Sequence, residues 1–244
     1  ATETSDAESA RIGSVASTVT KIKTRKLNNS YGAAYYPWVT IKDEAKNSIV
    51  WVPPSVAALG ALSYSEAQSE VWFAPAGFNR GGLSQGAAGI PVISVRDKVS
   101  SRDRDKLYEV NINPIASFPA EGLVIFGQKT LQANASALDR INVRRLMIFV
   151  KKQISRYAKG ILFEQNVLQT WNRFTGVVEP FLESVKNGLG LTDYKLILDE
   201  TTTTPDLQDR NVLYAKVYLK PARAIEYIAL DFFITRSGAS FEDL

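Results

Sequence analysis

The sequence predicts an α+β (mixed α/β) protein, a central mixed β-sheet flanked by helices. Three patterns carry that expectation. A long helical period runs through residues 135–159, where Val143, Met147, Val150, Ile154 and Tyr157 recur at intervals of 4, 3, 4 and 3. Short apolar runs such as "IVWVPP" and "GLVIFG" are bounded by glycine or proline, as buried strands are. Two alternating runs, "VLYAKVYLK" and "IEYIALDFFITR", close the sequence.

The elements follow in order. Residues 5–26 read as a helix with Ile12, Val15 and Val19 on one face. "AAYYPWVTI" reads as one strand entered through Pro37, and "IVWVPP" as a second, stopped by its prolines; with "KDEAKNS" between them they form a hairpin. "SVAALGALSYSEAQSE" predicts a helix weakened by Gly60. After a loop rich in glycine, "IPVISV" predicts a strand and "SSRDRDKLYEVN" a helix capped by Ser100 or Ser101. Beyond the long helix, two more are expected over residues 165–175 and 177–187, with Gly188 and Gly190 as the stop. "YKLILD" predicts a strand, followed by the turn "ETTTTPDLQDRN".

Composition excludes several kinds of chemistry. The 244 residues contain no cysteine, so thiol catalysis, thiolate metal sites and disulfides are absent. They contain no histidine, which removes the commonest general base and imidazole ligand. No run of about 18 uncharged apolar residues predicts a membrane helix. The first residues carry no signal-peptide pattern, and without an initiator Met the sequence reads as part of a longer protein.

"GLSQG" at residues 82–86 fits G-x-S-x-G, in which a serine on a sharp turn attacks carbonyls. The setting is wrong for that chemistry. "FNRG" before it is no strand, "AAGIP" after it is no helix, and no histidine exists to take the proton. Gly77 and Gly82 lack the Lys-Ser/Thr of a phosphate loop, and "GLG" at 188–190 lacks the third glycine of a dinucleotide fingerprint. Asp103 and Asp105 alternate with Arg102 and Arg104 as a solvated helix face. Asp199, Glu200 and Asp206 flank a threonine-rich turn with no known metal-ligand spacing.

Two features point to association. Arg140, Arg144, Arg145, Lys151, Lys152, Arg156 and Lys159 fall within residues 140–159 with no acidic residue among them. That helix fits a grip on nucleic acid or another anion, a solvated face with buried arginine pairs, or docking on an acidic protein. In "VLYAKVYLK", Leu213, Ala215, Val217 and Leu219 face one way and Tyr214, Lys216 and Tyr218 the other. In "IEYIALDFFITR", Ile228, Leu230, Phe232 and Ile234 share a face. So apolar a strand is a hazard as a free edge, so it pairs within its own sheet or is donated to another subunit's. Periodicity alone favours the internal pairing.

Eight segments stand in one order from residue 28 onward: "NSYGAAYYPWVTI", "VPPSVAALGAL", "EVWFAPAGFNRGGL", "VNINPI", "VIFGQKTL", "LDRINVRRL", "LFEQN" and "PARAIEYIALDF". Together they resemble the tail sheath proteins of contractile-tailed bacteriophages, in particular the C-terminal part of those longer proteins. The resemblance implies a structural polymer with no catalysis and no cofactor, part of the virion tail and assembled in the host bacterial cytoplasm. Its subunits would surround an inner tail tube and contract to drive that tube through the host envelope. Implied partners are further copies of itself, the tube protein, and baseplate and tail terminator proteins, with neither nucleic acid nor membrane insertion expected.

The resemblance also implies donation of the last strand to a neighbour. On this chain the arm would be residues 225–235, with Ile225, Tyr227, Ile228, Leu230, Phe232 and Ile234. The acceptor would be the strand bearing Leu213, Ala215, Val217 and Leu219. Arg140, Arg144, Arg145, Lys151 and Lys152 become candidate lattice or tube contacts. The division expected is residues 1–90 as the remainder of a preceding α/β domain, 91–222 as the C-terminal core domain, and 223–244 as the arm.

Overall fold

The structure is a computed structural model that describes residues 13–43, 45–84 and 92–229. Its elements confirm the mixed class. Helix α1 spans Val15–Arg25, strands β1, β2 and β3 span Ala34–Tyr36, Val39–Asp43 and Ser48–Val52, and α2 spans Pro54–Gln68. The short α3 (Gly77–Arg80), β4 (Val92–Val95), α4 (Ser101–Glu109), β5 (Ile112–Phe118) and β6 (Gly122–Ile125) follow. The last third holds α5 (Ile141–Lys159), α6 (Leu168–Asn187), β7 (Leu191–Ile197), α7 (Pro205–Asp209) and β8 (Lys216–Pro221).

The strands are divided among three small sheets. β1 runs parallel to β5, pairing Ala34 with Ile112 and Tyr36 with Pro114, while β6 runs antiparallel to the second half of β5; this sheet is mixed. β3, β2 and β4 form an antiparallel sheet with β2 central, so the expected hairpin is present. β7 and β8 form a third, two-stranded antiparallel sheet. Both three-stranded sheets join strands from either side of residue 90.

Local chemistry sets the boundaries. The Ser14 hydroxyl accepts the Ser17 N–H and starts α1, and the Ser100 hydroxyl accepts the Asp103 N–H at 3.2 Å and starts α4. Residues 5–12 of the first expected helix lie outside the described residues. "AAYYPWVTI" forms two strands in different sheets: Pro37 has no N–H to offer a ladder, and β1 turns to β5 while β2 turns to β3.

β5, "INPIASF", has no counterpart in the sequence reading. Its first five residues are all buried, so it lacks the alternation that marks a half-exposed strand. Another difference is α6, which runs unbroken where two helices were expected. Pro180 lies inside it, yet Phe174, Val178, Leu182 and Val185 on both sides of that proline enter one core. Packing of one apolar face outweighs the lost hydrogen bond.

Three apolar clusters hold these elements. Ala57, Ala58 and Ala61 of α2 pack with Val39, Val92, Ile115, Leu123 and Ile125. Val15, Val19 and Ile22 of α1 cover Tyr36, Leu107 and Ile112. Leu146 and Val150 of α5 meet Phe174, Val178 and Leu182 of α6, along with Trp72 and Leu191. Trp72 joins the halves: its indole N–H donates to the Gly188 carbonyl at 2.7 Å, and the Asn142 side-chain amide donates to the Trp72 backbone carbonyl.

Candidate assembly surface

β8 begins at Lys216, so Leu213 and Ala215 precede the strand. The predicted two-faced pattern holds through the whole stretch. Ala215, Val217 and Leu219 pack against the α5–α6 core and Leu213 is half-buried, while Tyr214 and Tyr218 are exposed. β7 lies on β8 in the register Tyr194–Leu219 to Ile197–Lys216, with an irregularity near Leu191. Among the described residues each of these strands has one strand neighbour, which leaves two open edges. Pro221 ends β8 at such an edge, where its missing N–H breaks no ladder.

The segment after Pro221 belongs to no helix or strand as far as residue 229. Ile225, Tyr227 and Ile228 are 82%, 79% and 78% exposed, which for three large apolar side chains in a row is unusual. Leu230, Phe232 and Ile234 lie outside the described residues. Between the exposed side chains, Glu226 turns inward. Arg140 grips it through two parallel bonds, Nε to Oε1 at 2.6 Å and Nη2 to Oε2 at 2.9 Å, and the Gln128 amide donates to Oε1 at 3.3 Å. Asp139 sits 3.2 Å from the other side of the guanidinium.

This anchor perturbs its surroundings. Burial, then the Glu226 charge, pushes the Tyr108 phenol up. Burial, then the nearby Arg140 charge, pulls the Lys129 ammonium down, although its Nζ donates to the Tyr108 carbonyl at 2.7 Å and lies 4.1 Å from the Tyr108 ring centre. Burial opposes the Arg140 charge, but the Glu226 bonds prevail and hold its pKa above the ordinary value. Glu226 was missed in the sequence. The signal for it was an acid, Glu226, placed between apolar residues of a long apolar run, in a chain whose basic helix carries no acid of its own.

The basic helix divides in two. Arg140 is held by Glu226, and Arg145 donates to Glu66 at 2.7 Å and to the Leu62 carbonyl. Arg144 is buried, donates to the Ser30 hydroxyl and stacks over the Tyr31 ring at 4.1 Å. Lys151, Lys152, Arg156 and Lys159, toward the other end, are exposed. So the structure gathers three of the five candidate contact residues onto the body of the molecule and leaves Lys151 and Lys152 at the surface.

Ser84 has a structural task. Its hydroxyl accepts the Leu123 N–H at 2.7 Å, and the strand-like stretch around it pairs with β6 through Leu83 N–H to Leu123 O and Ile125 N–H to Gly81 O, both 2.8 Å. Two glycines permit this approach. A Cβ on Gly81 would stand 2.6 Å from the Ile125 carbonyl oxygen, and Gly122, at φ +74°, would place one 2.6 Å from the Ser84 hydroxyl. Asp199 is likewise local: the Thr201 hydroxyl and N–H groups of Thr201 and Thr202 bond its carboxylate, and the hydroxyl above all holds its pKa below the ordinary range. No helix among the described residues is long and apolar enough to cross a membrane.

Comparison with known proteins places this chain in a family. Residues 133–235 match the family described as the phage tail sheath C-terminal domain. The chain is 38% identical over 194 residues to the tail sheath protein of Vibrio phage KVP40 and 37% identical over 194 residues to that of Enterobacteria phage T4. Each match covers 80% of this chain and 28% of the relative, so the chain spans under a third of the length of these proteins. Among solved structures, its fold is similar to the PVC sheath complex of an extracellular contractile injection system in the contracted state. There the TM-score is 0.77 at 24% identity, over 93% of this chain and 62% of that one. It is also similar to the helical sheath of the anti-feeding prophage in the contracted state, with TM-score 0.72 at 25% identity over 84% of this chain and 56% of that one. The chain therefore belongs to the phage tail sheath proteins and corresponds to their C-terminal region.

Proposed function

We propose that this chain is the C-terminal part of a contractile tail sheath subunit, which polymerises around an inner tail tube and shortens to drive that tube through a host envelope. The observation that carries the reading beyond family membership is the pairing of an open-edged sheet with an unpaired apolar segment. β7–β8 offers two free edges, and residues 222–229 leave it outside any helix or strand, with large side chains exposed. Each is an association hazard alone and together they are complementary. In this reading the segment beginning at Ile225 adds to the β7–β8 sheet of a neighbouring copy.

Glu226 gives the link a fixed root. The bidentate bond to Arg140 ties the base of the arm to the body, and the chain from Pro221 to Arg223 becomes a hinge when that bond opens. Subunits then rotate as rigid bodies while the backbone ladder between them holds. Contraction without a fuel molecule requires an extended lattice that is metastable and is released when tube or baseplate contacts change.

Similarity to assembled sheath and baseplate complexes supports copies of itself and baseplate proteins as partners. The tube protein and a tail terminator are further partners in the same proposal. Lys151 and Lys152, free of the body, are the basic residues that meet the lattice or the tube. A nucleic-acid role for the helix loses support, because three of its seven cations are engaged within the chain. Electron microscopy of full-length protein expressed alone tests the proposal: it predicts tubes of stacked subunits, and protein that stays dispersed at high concentration refutes it.

A further inference from the structure

A groove of about 380 Å³ opens between α2, the loop of residues 30–33 and the first turns of α5. Its walls are apolar, with Ala58, Leu59 and Leu62 from α2 facing Ile141 and Ile148 of α5. Leu59 and Ile148, at the rim, are 64% and 46% exposed. Two arginines line the same space, Arg144 and Arg145. Arg145 has its counter-ion in Glu66. Arg144 has none: it is 9% exposed, donates to a serine hydroxyl, stacks on an aromatic ring, and meets no carboxylate among the described residues.

The guanidinium groups are also under-used. Arg144 Nε and Arg145 Nη1 are buried and without an acceptor. A buried cation without a counter-ion is costly, and proteins retain one mainly where something else supplies the opposite charge. Tyr31, which stacks on one face of the Arg144 guanidinium and lines the same groove, is itself 69% exposed, so it leaves the edge of that guanidinium for an incoming group.

We infer that this groove is a second assembly site, which receives an apolar segment bearing a carboxylate from another copy of this chain. The inference rests on the polymer reading above and adds to it a contact distinct from the β7–β8 edges. The chemistry selects the occupant. An apolar groove with a buried positive charge suits a peptide that pairs an acidic side chain with an apolar one, and suits a nucleic acid poorly, whose phosphates seek exposed cations. A homopolymer presents such a peptide at fixed geometry and high local concentration. A carboxylate there completes Arg144, and the apolar neighbour covers Leu59 and Ile148.

The test uses full-length protein with Leu59 replaced by the photo-reactive residue p-benzoylphenylalanine, irradiated as dispersed protein and as tubes. The inference predicts crosslinks between copies in tubes only, with the captured peptide containing Asp or Glu. Crosslinks confined to the same chain, in tubes that form normally, overturn it, because the groove is then filled by another part of the longer polypeptide. The companion variant Arg144→Met is expected to raise the concentration needed for tubes by about tenfold or more, with Arg144→Lys partly restoring it. Tubes of Arg144→Met at the unchanged concentration also overturn it. If Arg144→Met does not fold, which thermal melting shows, the Leu59 crosslink decides alone. Failure of the unmodified protein to form tubes refutes the polymer reading instead.

Discussion

The β5–β6 part of the body and the β7–β8 sheet treat their strands in opposite ways. In the first, β5 is flanked by β1 and β6, the Gly81–Leu83 stretch covers the far edge of β6, and Asn113 sews the ends together. That side chain donates to the Ala34 and Lys129 carbonyls and accepts the Lys129 N–H at 2.6 Å. In the second, two strands lie on helices with tyrosines outward and both edges open. A two-stranded sheet is marginal without further support. The α5–α6 core supports its inner face, and the edges are the part left for other subunits. This chain thus places a closed β5–β6 edge beside an open two-stranded sheet, and the open sheet is where assembly is proposed.

That contrast predicts a graded set of effects. The largest on stability belong to core truncations: Leu182→Ala, at a fully buried position of α6, is expected to cost about 2–5 kcal/mol in denaturant unfolding. Asn113→Ala comes next, at about 1–3 kcal/mol, because it strands two carbonyls and an N–H in the interior. Gly81→Ala is expected to cost about 1–3 kcal/mol by forcing β6 away from the covering stretch. A neutral result for either would break the claim that β5 and the far edge of β6 are tightly closed.

Alkaline titration separates the regions by a different lever. Burial pushes the Tyr35 phenol from 10.0 up to about 12, and the buried Tyr36 phenol, which donates to Asp97 at 2.6 Å, is raised as well. A raised folded pKa means that the folded state keeps its proton where the unfolded chain has lost it. The stability from this source is therefore complete below pH 10 and drains away as pH rises toward 12. Tyr35→Phe is expected to flatten the fall of unfolding free energy between those pH values, and an unchanged slope contradicts the assignment. The smallest stability effect belongs to the open sheet: Tyr218→Ser, outward on β8, is expected to change stability by under about 0.5 kcal/mol. It lowers tube yield in the full-length protein all the same.

Much of this was legible because periodicity reports one-sided burial. The α5 stripe, the cap at Ser100, the β2–β3 hairpin and the two-faced pattern from Leu213 to Leu219 all have a wet side and a dry side. What the sequence hid is what has no wet side or depends on distant partners. β5 is buried along its length and so carries no alternation. α6 continues through Pro180 for the sake of a core assembled with α5, β7, β8 and the loop that bears Trp72. Of the candidate site, the acceptor face was visible, and the pairing of Arg140 with Glu226, 86 residues apart, was not. "GLSQG" looked chemical for the same reason: the β6 edge that gives Ser84 its partner is nearly forty residues away.

The central claim is that the open β7–β8 sheet is completed by the segment that follows Pro221 in a neighbouring copy. Removing all residues after Pro221 from the full-length protein, and examining the product by electron microscopy beside the intact protein, tests it most directly. The account predicts folded, dispersed subunits that no longer form tubes. Tubes that persist after the deletion would contradict it.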